Sequence, residues 1–387
     1  MHKTFKAKAI RRFEELRDKS IVTIEQLKDE GGKVGGIYCT FAPRELIRAS
    51  GVLPVGLCGK DAEPIRPAEH VLPANLCPLI KSSYGYAITN MCPYFDLCDF
   101  LVGETTCDGK KKMYELLQDE KQLFLMNLPP ESDDASSLEY WNKEIFRFKY
   151  FLEEQTTSEI SDSAVKRQVR LHNNMRRLLR SIIGHCAENP VPISGTDMLL
   201  VMETRNYAPD LQAYVAGLCE LDDELAQAKY KGLSVADERA PKILLTGCPV
   251  GKGSDKVLRL LEESGAAVVC QENCTGMKTL YSAVEEDETD PYLAIASRYL
   301  KIPCSCMTPN TGRFSLLKRF IGEFHIQGVI DLTWHCCHTY NVESHLVGRL
   351  VEERYGLPFL HIETDYSNAD TGQLKVRIEA FLEMVRE

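Results

Sequence analysis

Fifteen cysteines in a chain of 387 residues are the feature that most demands a chemical account. At about 4% of the chain they fall short of the 8–10% typical of a short disulfide scaffold, so disulfides are the weak reading. Metal or cluster ligation, redox chemistry and plain packing remain, because a free cysteine also behaves as a small buried hydrophobe. No two cysteines stand in a C-x-x-C pair. That excludes the ferredoxin-type local cluster motif and a thioredoxin-like redox pair. The run His335-Cys336-Cys337-His338 has the wrong spacing for zinc, which takes Cys pairs two to four residues apart followed by a second pair. An iron–sulfur cluster in this chain would have to be assembled from distant loops.

The elements that carry these residues alternate. Phe5 to Leu27 is charged, with apolar residues at helical intervals, and ends at Gly31-Gly32: an N-terminal helical arm, residues 1–31. Residues 32–131 alternate strand-like and helical runs, VGGIYCT, PRELIRAS, VLPVGLCG, FLVGETTC, DGKKKMYELLQ and QLFLMNL. Residues 132–240 are mainly helical, and from residue 241 to 387 the alternation returns with KILLTG, DKVLRLLEES, AAVVC, GVIDLTW, PFLHIE and a final helix. The expected fold class is α/β, with two Rossmann-like or flavodoxin-like parallel-sheet domains, a helical insert and an N-terminal helix. Cys39, Cys107, Cys248, Cys270, Cys274, Cys336 and Cys337 all fall at or just beyond predicted strand ends. In open α/β sheets that edge binds ligands, so thiols from both halves are expected to converge on the cleft between the domains. Cys58, Cys98, Cys186, Cys219 and Cys270 fit packing roles.

Several alternatives are weaker. TGCPVGKGSDK resembles a phosphate loop, but three residues separate Gly247 from Gly251 where four are needed, and Gly253 follows Lys252 in place of Ser or Thr. It reads as an ordinary βα turn. A thiol hydrolase drawn from Cys337, His338 and Glu343 rests on adjacency alone. Forty-six basic against 56 acidic residues give a net charge of −10, which argues against a nucleic-acid partner. No apolar run approaches the roughly 18 residues of a membrane span, and the amino end lacks the apolar core of a secretory signal. A cytoplasmic chain with no membrane partner is expected.

The segments YCTFAPRELIRASGVLPV, NLCPLIKSSYGY, VGETTCDGKKKMYELL, the stretch around Arg313, HCCHTYNVES and LPFLHIETDYSNADTGQLKVRIEAFLEM together resemble the 2-hydroxyacyl-CoA dehydratase family. The resemblance runs from about residue 20 to the end, and is nearest to the branch of double-cubane-cluster proteins and related dehydratase subunits. It implies a [4Fe-4S] cluster on three cysteines, matched here by Cys77, Cys107 and Cys337, with Cys336 a neighbour. The further cysteines point toward the double-cubane branch, whose [8Fe-9S] unit takes six protein ligands. Cys39, Cys274 and Cys306 are the expected second set, with Cys92, Cys248 and Cys304 as alternates. The resemblance also implies an ATP-dependent iron–sulfur reductase, an activator-type homodimer, as electron-donating partner. A small-molecule substrate, anaerobic chemistry and a homodimer follow from the same source. His338, Glu343 and Glu45 neighbour the motif segments as candidate proton donors, against ordinary structural roles. Three functions are thus expected in order: a reductase of a small substrate, a radical 2-hydroxyacyl-CoA dehydratase subunit with a single cubane, and a non-catalytic electron carrier or cluster scaffold.

Overall fold

A computed structural model describes residues 5–386; the first four residues of the N-terminal arm and Glu387 lie outside the described residues. The arm is two helices, α1 (Ile10–Asp18) and α2 (Ser20–Asp29), where one was expected. Phe13 of α1 and Ile24 of α2 are fully buried, in different cores.

The first alternating region builds β1 (Val34–Ile37), α3 (Arg44–Ala49), β2 (Leu53–Gly56), α4 (Ile65–Ala68), α5 (Pro78–Ile88), α6 (Pro93–Leu97), β3 (Phe100–Glu104), α7 (Asp108–Leu117) and β4 (Leu123–Met126). Its strands are parallel, in the order β2-β1-β3-β4. Four helices follow: α8 (Ala135–Thr156), α9 (Asp162–Gly184), α10 (Gly195–Thr204) and α11 (Leu211–Tyr230). Side chains of Asp134, Ser161, Ser194 and Asp210 accept from first-turn amides and so cap all four.

The second region repeats the pattern with β5 (Lys242–Gly247), α12 (Lys256–Glu263), β6 (Ala267–Glu272), α13 (Pro291–Leu300), α14 (Thr311–Glu323), β7 (Gly328–Trp334), α15 (His338–Arg349), β8 (Phe359–Thr364) and α16 (Thr371–Arg386). Again all pairings are parallel, in the order β6-β5-β7-β8. Strands β3, β5, β6 and β7 are buried along their whole length, which is why they read as continuous apolar runs. The fold is therefore α/β with two parallel sheets of the same, flavodoxin-like strand order.

The helices do not keep to the half in which the sequence places them. α8 packs on the first sheet together with α13, which comes from the second region, whereas α10 and α11 cover the second sheet. Among the described residues, no helix is long and apolar enough to cross a membrane.

Candidate functional site

In a sheet of this strand order the crevice opens between the first and third strands, outside their carboxyl ends. The chain places a cysteine at each of these four positions. Cys39 follows β1, Cys107 follows β3, Cys248 follows β5, and Cys336-Cys337 follow β7. The two crevices face each other across one cavity of about 340 Å³, and Cys77, Cys274, Cys304 and Cys306 complete its wall. All six of the cysteines expected as ligands, and the alternates Cys248, Cys304 and Cys336, thus meet at one place. Cys92 is the alternate that does not, since it precedes α6 outside the cavity lining.

Cys77, Cys107 and Cys337 share a further property, for each is the residue immediately before a helix: α5, α7 and α15. None of these helices has a side-chain cap, in contrast to those of the helical segment. Backbone amides of the first turns serve the sulfurs directly: Leu79 and Ile80 donate to Cys77, Lys110 to Cys107, and Tyr340 to Cys337. A helix N-terminus favours negative charge, but at Cys77 the bond to Cys337 and burial, and at Cys107 burial, outweigh it and push those thiols up. The Cys77–Pro78 step reads in sequence as a rigid loop, yet Pro78 is the first residue of α5, where its missing N–H costs nothing. Cys336 holds φ at +61°, a left-handed turn that takes the chain from β7 into α15.

Thiol contacts divide the wall further. Hydrogen bonds from Cys248 and Cys77 hold the Cys337 thiol well below its usual range. The bond from Cys306, helped by the ammonium groups of Lys278 and Lys110, brings Cys304 down to about 6. Burial acts oppositely on Cys39, pushed well up, and on Cys274, pushed up to about 11. Among the described residues, no three of these side chains close around a point that would hold a single metal ion. Cluster ligands stand apart, each on its own iron at the periphery of the unit, and a rim of thiols about a cavity is the arrangement they require. Soft sulfur donors, buried surroundings and amide donors all fit such a group.

Charged residues support the rim from behind. Lys110, one turn into α7, is buried and donates to Tyr38 O at 2.9 Å. On the other side Arg313 of α14 is fully buried between β6, β7 and α15, where it faces Glu272 at 3.2 Å, Asp331 at 3.5 Å and Glu343. Lys278 pairs with Glu272 at 3.3 Å and donates to the Tyr340 hydroxyl at 2.5 Å, and Tyr340 lines the cavity. Ser305 and Thr339 hydrogen-bond at 3.0 Å, tying the Cys304–Cys306 loop to the start of α15.

Of the candidate proton donors, His338 is exposed and lines the cavity. Glu343 accepts from Asn310 at 2.7 Å and from Arg313, while Glu45 accepts from Arg176 and, at 2.6 Å, from Tyr299. Both carboxylates are thus committed to ion pairs. Lys110, Lys278 and Tyr340 were not among the candidates; the one signal for Lys110 is its offset of three residues from Cys107, which returns it to the cavity side of α7. Among the cysteines expected to pack, Cys98, Cys186 and Cys270 are buried and Cys58 is half-buried, donating to Tyr38 O at 2.7 Å. Cys219 instead is exposed on α11. Strand β6 runs on past Cys270 to Glu272, so that thiol sits inside the strand, 3.4 Å from the sulfur of Met277. The TGCPVGKGSDK stretch is a βα turn: Gly247 has φ +111°, and a side chain there would meet Leu332 O at 2.2 Å.

Comparison with known proteins shows the family. Residues 39–385 match the family described as 2-hydroxyglutaryl-CoA dehydratase, D-component. Over 373 residues the chain is 42% identical to an Escherichia coli (strain K12) protein named "Putative dehydratase subunit YjiM", covering 96% of this chain and 97% of that one. It is 21% identical over 364 residues to the (R)-phenyllactyl-CoA dehydratase beta subunit of Clostridium sporogenes, covering 93% and 94% of the two chains. One of the benzoyl-CoA reductase subunits of Thauera aromatica matches 45% of each chain at 24% identity. The chain belongs to the 2-hydroxyglutaryl-CoA dehydratase D-component family.

Proposed function

We propose that the cavity holds an iron–sulfur cluster, a double cubane of the [8Fe-9S] type, and that the protein is a reductase of a small substrate supplied with low-potential electrons by an ATP-dependent iron–sulfur reductase. The observation that carries this is the number of thiols on one cavity, nine where a single cubane held by three would leave six without a role. Cys77, Cys107 and Cys337 would hold one half and Cys39, Cys274 and Cys306 the other. Cys248, in contact with Cys337, and Cys304, in contact with Cys306, compete for the same places. When bound, the cluster would supply one-electron chemistry at a potential set by its charge, hydrogen bonds and exposure. The chain's own part is to present buried sulfurs at helix N-termini, offset their charge with Lys110 and Lys278, and keep bulk water out. A homodimer is part of the proposal, as for the double-cubane branch that the sequence resembles.

Iron and sulfide analysis of anaerobically purified protein tests this directly. About eight irons per chain are expected; about four would favour a single cubane, and none would sink both. The names of the relatives favour one second reading, a dehydratase subunit acting on a 2-hydroxyacyl-CoA. That reading predicts about four irons and protection of the cluster by an acyl-CoA, and absence of turnover of any such thioester would count against it.

A further inference from the structure

A second, smaller cavity of about 60 Å³ adjoins the thiol-lined one and shares Cys39 and Cys274 with it as a common wall. Its other sides present five guanidiniums, Arg44 and Arg48 of α3, Arg176 of α9, Arg205 just beyond α10, and Arg298 of α13, and no carboxylate lines it. Glu45, directly behind, is engaged by Arg176 and Tyr299. Asp210, near Arg48, caps α11. His172, also in the lining, is driven down to about 4 by burial and is therefore neutral near pH 7. The remaining partners are uncharged: Arg48 donates to the carbonyls of Ala208 and Pro209, Arg44 to Asn206 Oδ1 at 2.9 Å, Arg205 to Thr275 O at 2.8 Å, and Arg298 to Ser282 O at 3.2 Å. Carbonyls satisfy N–H groups without balancing charge. Arg205 Nη1 is buried with no partner at all.

Arg176 and Arg298 are buried and Arg44, Arg48 and Arg205 half-buried, and with Glu45 the one carboxylate behind five guanidiniums, their convergence on one space calls for an anion in it. Guanidinium forks match planar oxyanions, which accept two parallel hydrogen bonds. The volume is a few times the 10–15 Å³ that admits one water, which limits the guest to a few heavy atoms. We infer that this cavity is a binding site for a small planar oxyanion, held against the Cys39–Cys274 wall of the cluster chamber. The inference rests on the proposed function in one respect, that the anion is then a substrate placed beside the cluster.

The test is calorimetric titration of the anaerobically purified full chain with sodium formate at constant ionic strength, with benzoate as a planar carboxylate too large to enter, and with iron analysis of each sample. Saturable one-to-one binding of formate is expected, with none of benzoate. Arg205→Met should weaken it at least tenfold, Arg44→Gln should weaken it too, and Arg205→Lys should retain part of it. Arg44→Gln, at a half-exposed position, is the variant to use should Arg205→Met not fold. Absence of saturable binding to the wild-type chain overturns the site, as does binding that neither substitution changes. Loss of iron in the arginine variants without formate binding to the wild type would assign the arginines to charge compensation of the thiolates, and overturns it equally. Formate binding to a chain that carries no iron keeps the anion site and defeats the cluster reading; iron without formate binding does the reverse.

Discussion

In the first sheet β3 ends at Glu104, before Cys107, and the cation that chiefly answers it is the ammonium of Lys110; in the second, Glu272 ends β6 before Cys274 and Asp331 lies midway along β7, and both are answered by the guanidinium of Arg313 with Lys278 beside it. Strand order and cysteine placement are the same in the two halves, with Cys39 corresponding to Cys248 and Cys107 to Cys337. The buried charge differs. In the first half one carboxylate can be left neutral: burial pushes Glu104 up to about 7, and its Oε2 has no partner. In the second, three carboxylates surround one fork, which reaches Glu272, Asp331 and Glu343 at once and also donates to Thr246 at 2.9 Å. Equivalent positions on like sheets can therefore carry thiols on unlike electrostatic foundations. The second half is organised around a charge that cannot be neutralised, the first around one that can.

The largest effect that distinguishes the halves should come from Arg313→Met. It leaves Glu272, Asp331 and Glu343 together without their common cation, and breaking a buried pair from one side costs about 3–5 kcal/mol. Denaturant unfolding should show a loss of that size or a chain that does not fold; a loss under about 1 kcal/mol would mean that the carboxylates take up protons as readily as Glu104 does.

Lys110→Met should be milder. It removes the hydrogen bond to Tyr38 O and the ammonium near Glu104, but the carboxyl group can meet the loss by keeping its proton. A cost of about 1.5–3 kcal/mol is expected by the same measurement, that of losing one hydrogen bond from a charged donor, since Tyr38 O still accepts from Cys58. A cost equal to that of Arg313→Met would erase the contrast between the halves.

How much of this could be read in the sequence depends on the range of the interaction. KILLTG and GVIDLTW announce strands because both of their faces are buried, and the cysteines that follow β1, β3, β5 and β7 declare themselves through the βα alternation alone. Helix α5 was hidden by Cys77-Pro78, since a proline after a predicted loop signals a helix start only when the following turn is known to be helical. Glu343 was visible as a neighbour of Cys337, but its ties to Asn310 and Arg313 depend on α14 packing against α15. The five arginines of the smaller cavity were hardest to see. They come from four separate stretches of the chain, and an arginine in a helical pattern ordinarily belongs to the surface.

The last effect, at most about 1.4 kcal/mol for each pH unit, is a pH dependence that isolates Glu104. Its carboxyl would lose its proton near 4.5 in the unfolded chain and does so near 7 in the folded one, because burial disfavours the charge. Between those values the folded chain binds more protons than the unfolded, so stability falls as pH rises, by at most about 1.4 kcal/mol per pH unit. The contribution is fully favourable below about 4.5 and fully lost above about 7. Asp331, raised by burial from 3.8 to about 6, acts in the same direction but has finished titrating before Glu104 does. Subtracting the unfolding free energy of Glu104→Gln from that of the wild type at each pH cancels Asp331 and the more distant groups, and should leave a downward slope that continues between about 6 and 7. In the Lys110→Met background that slope should extend above pH 7, because the ammonium that favours the carboxylate is gone. A difference curve that is flat from 4.5 to 7 would mean that Glu104 is ionised in the folded chain, and that both halves bury charge in the same way.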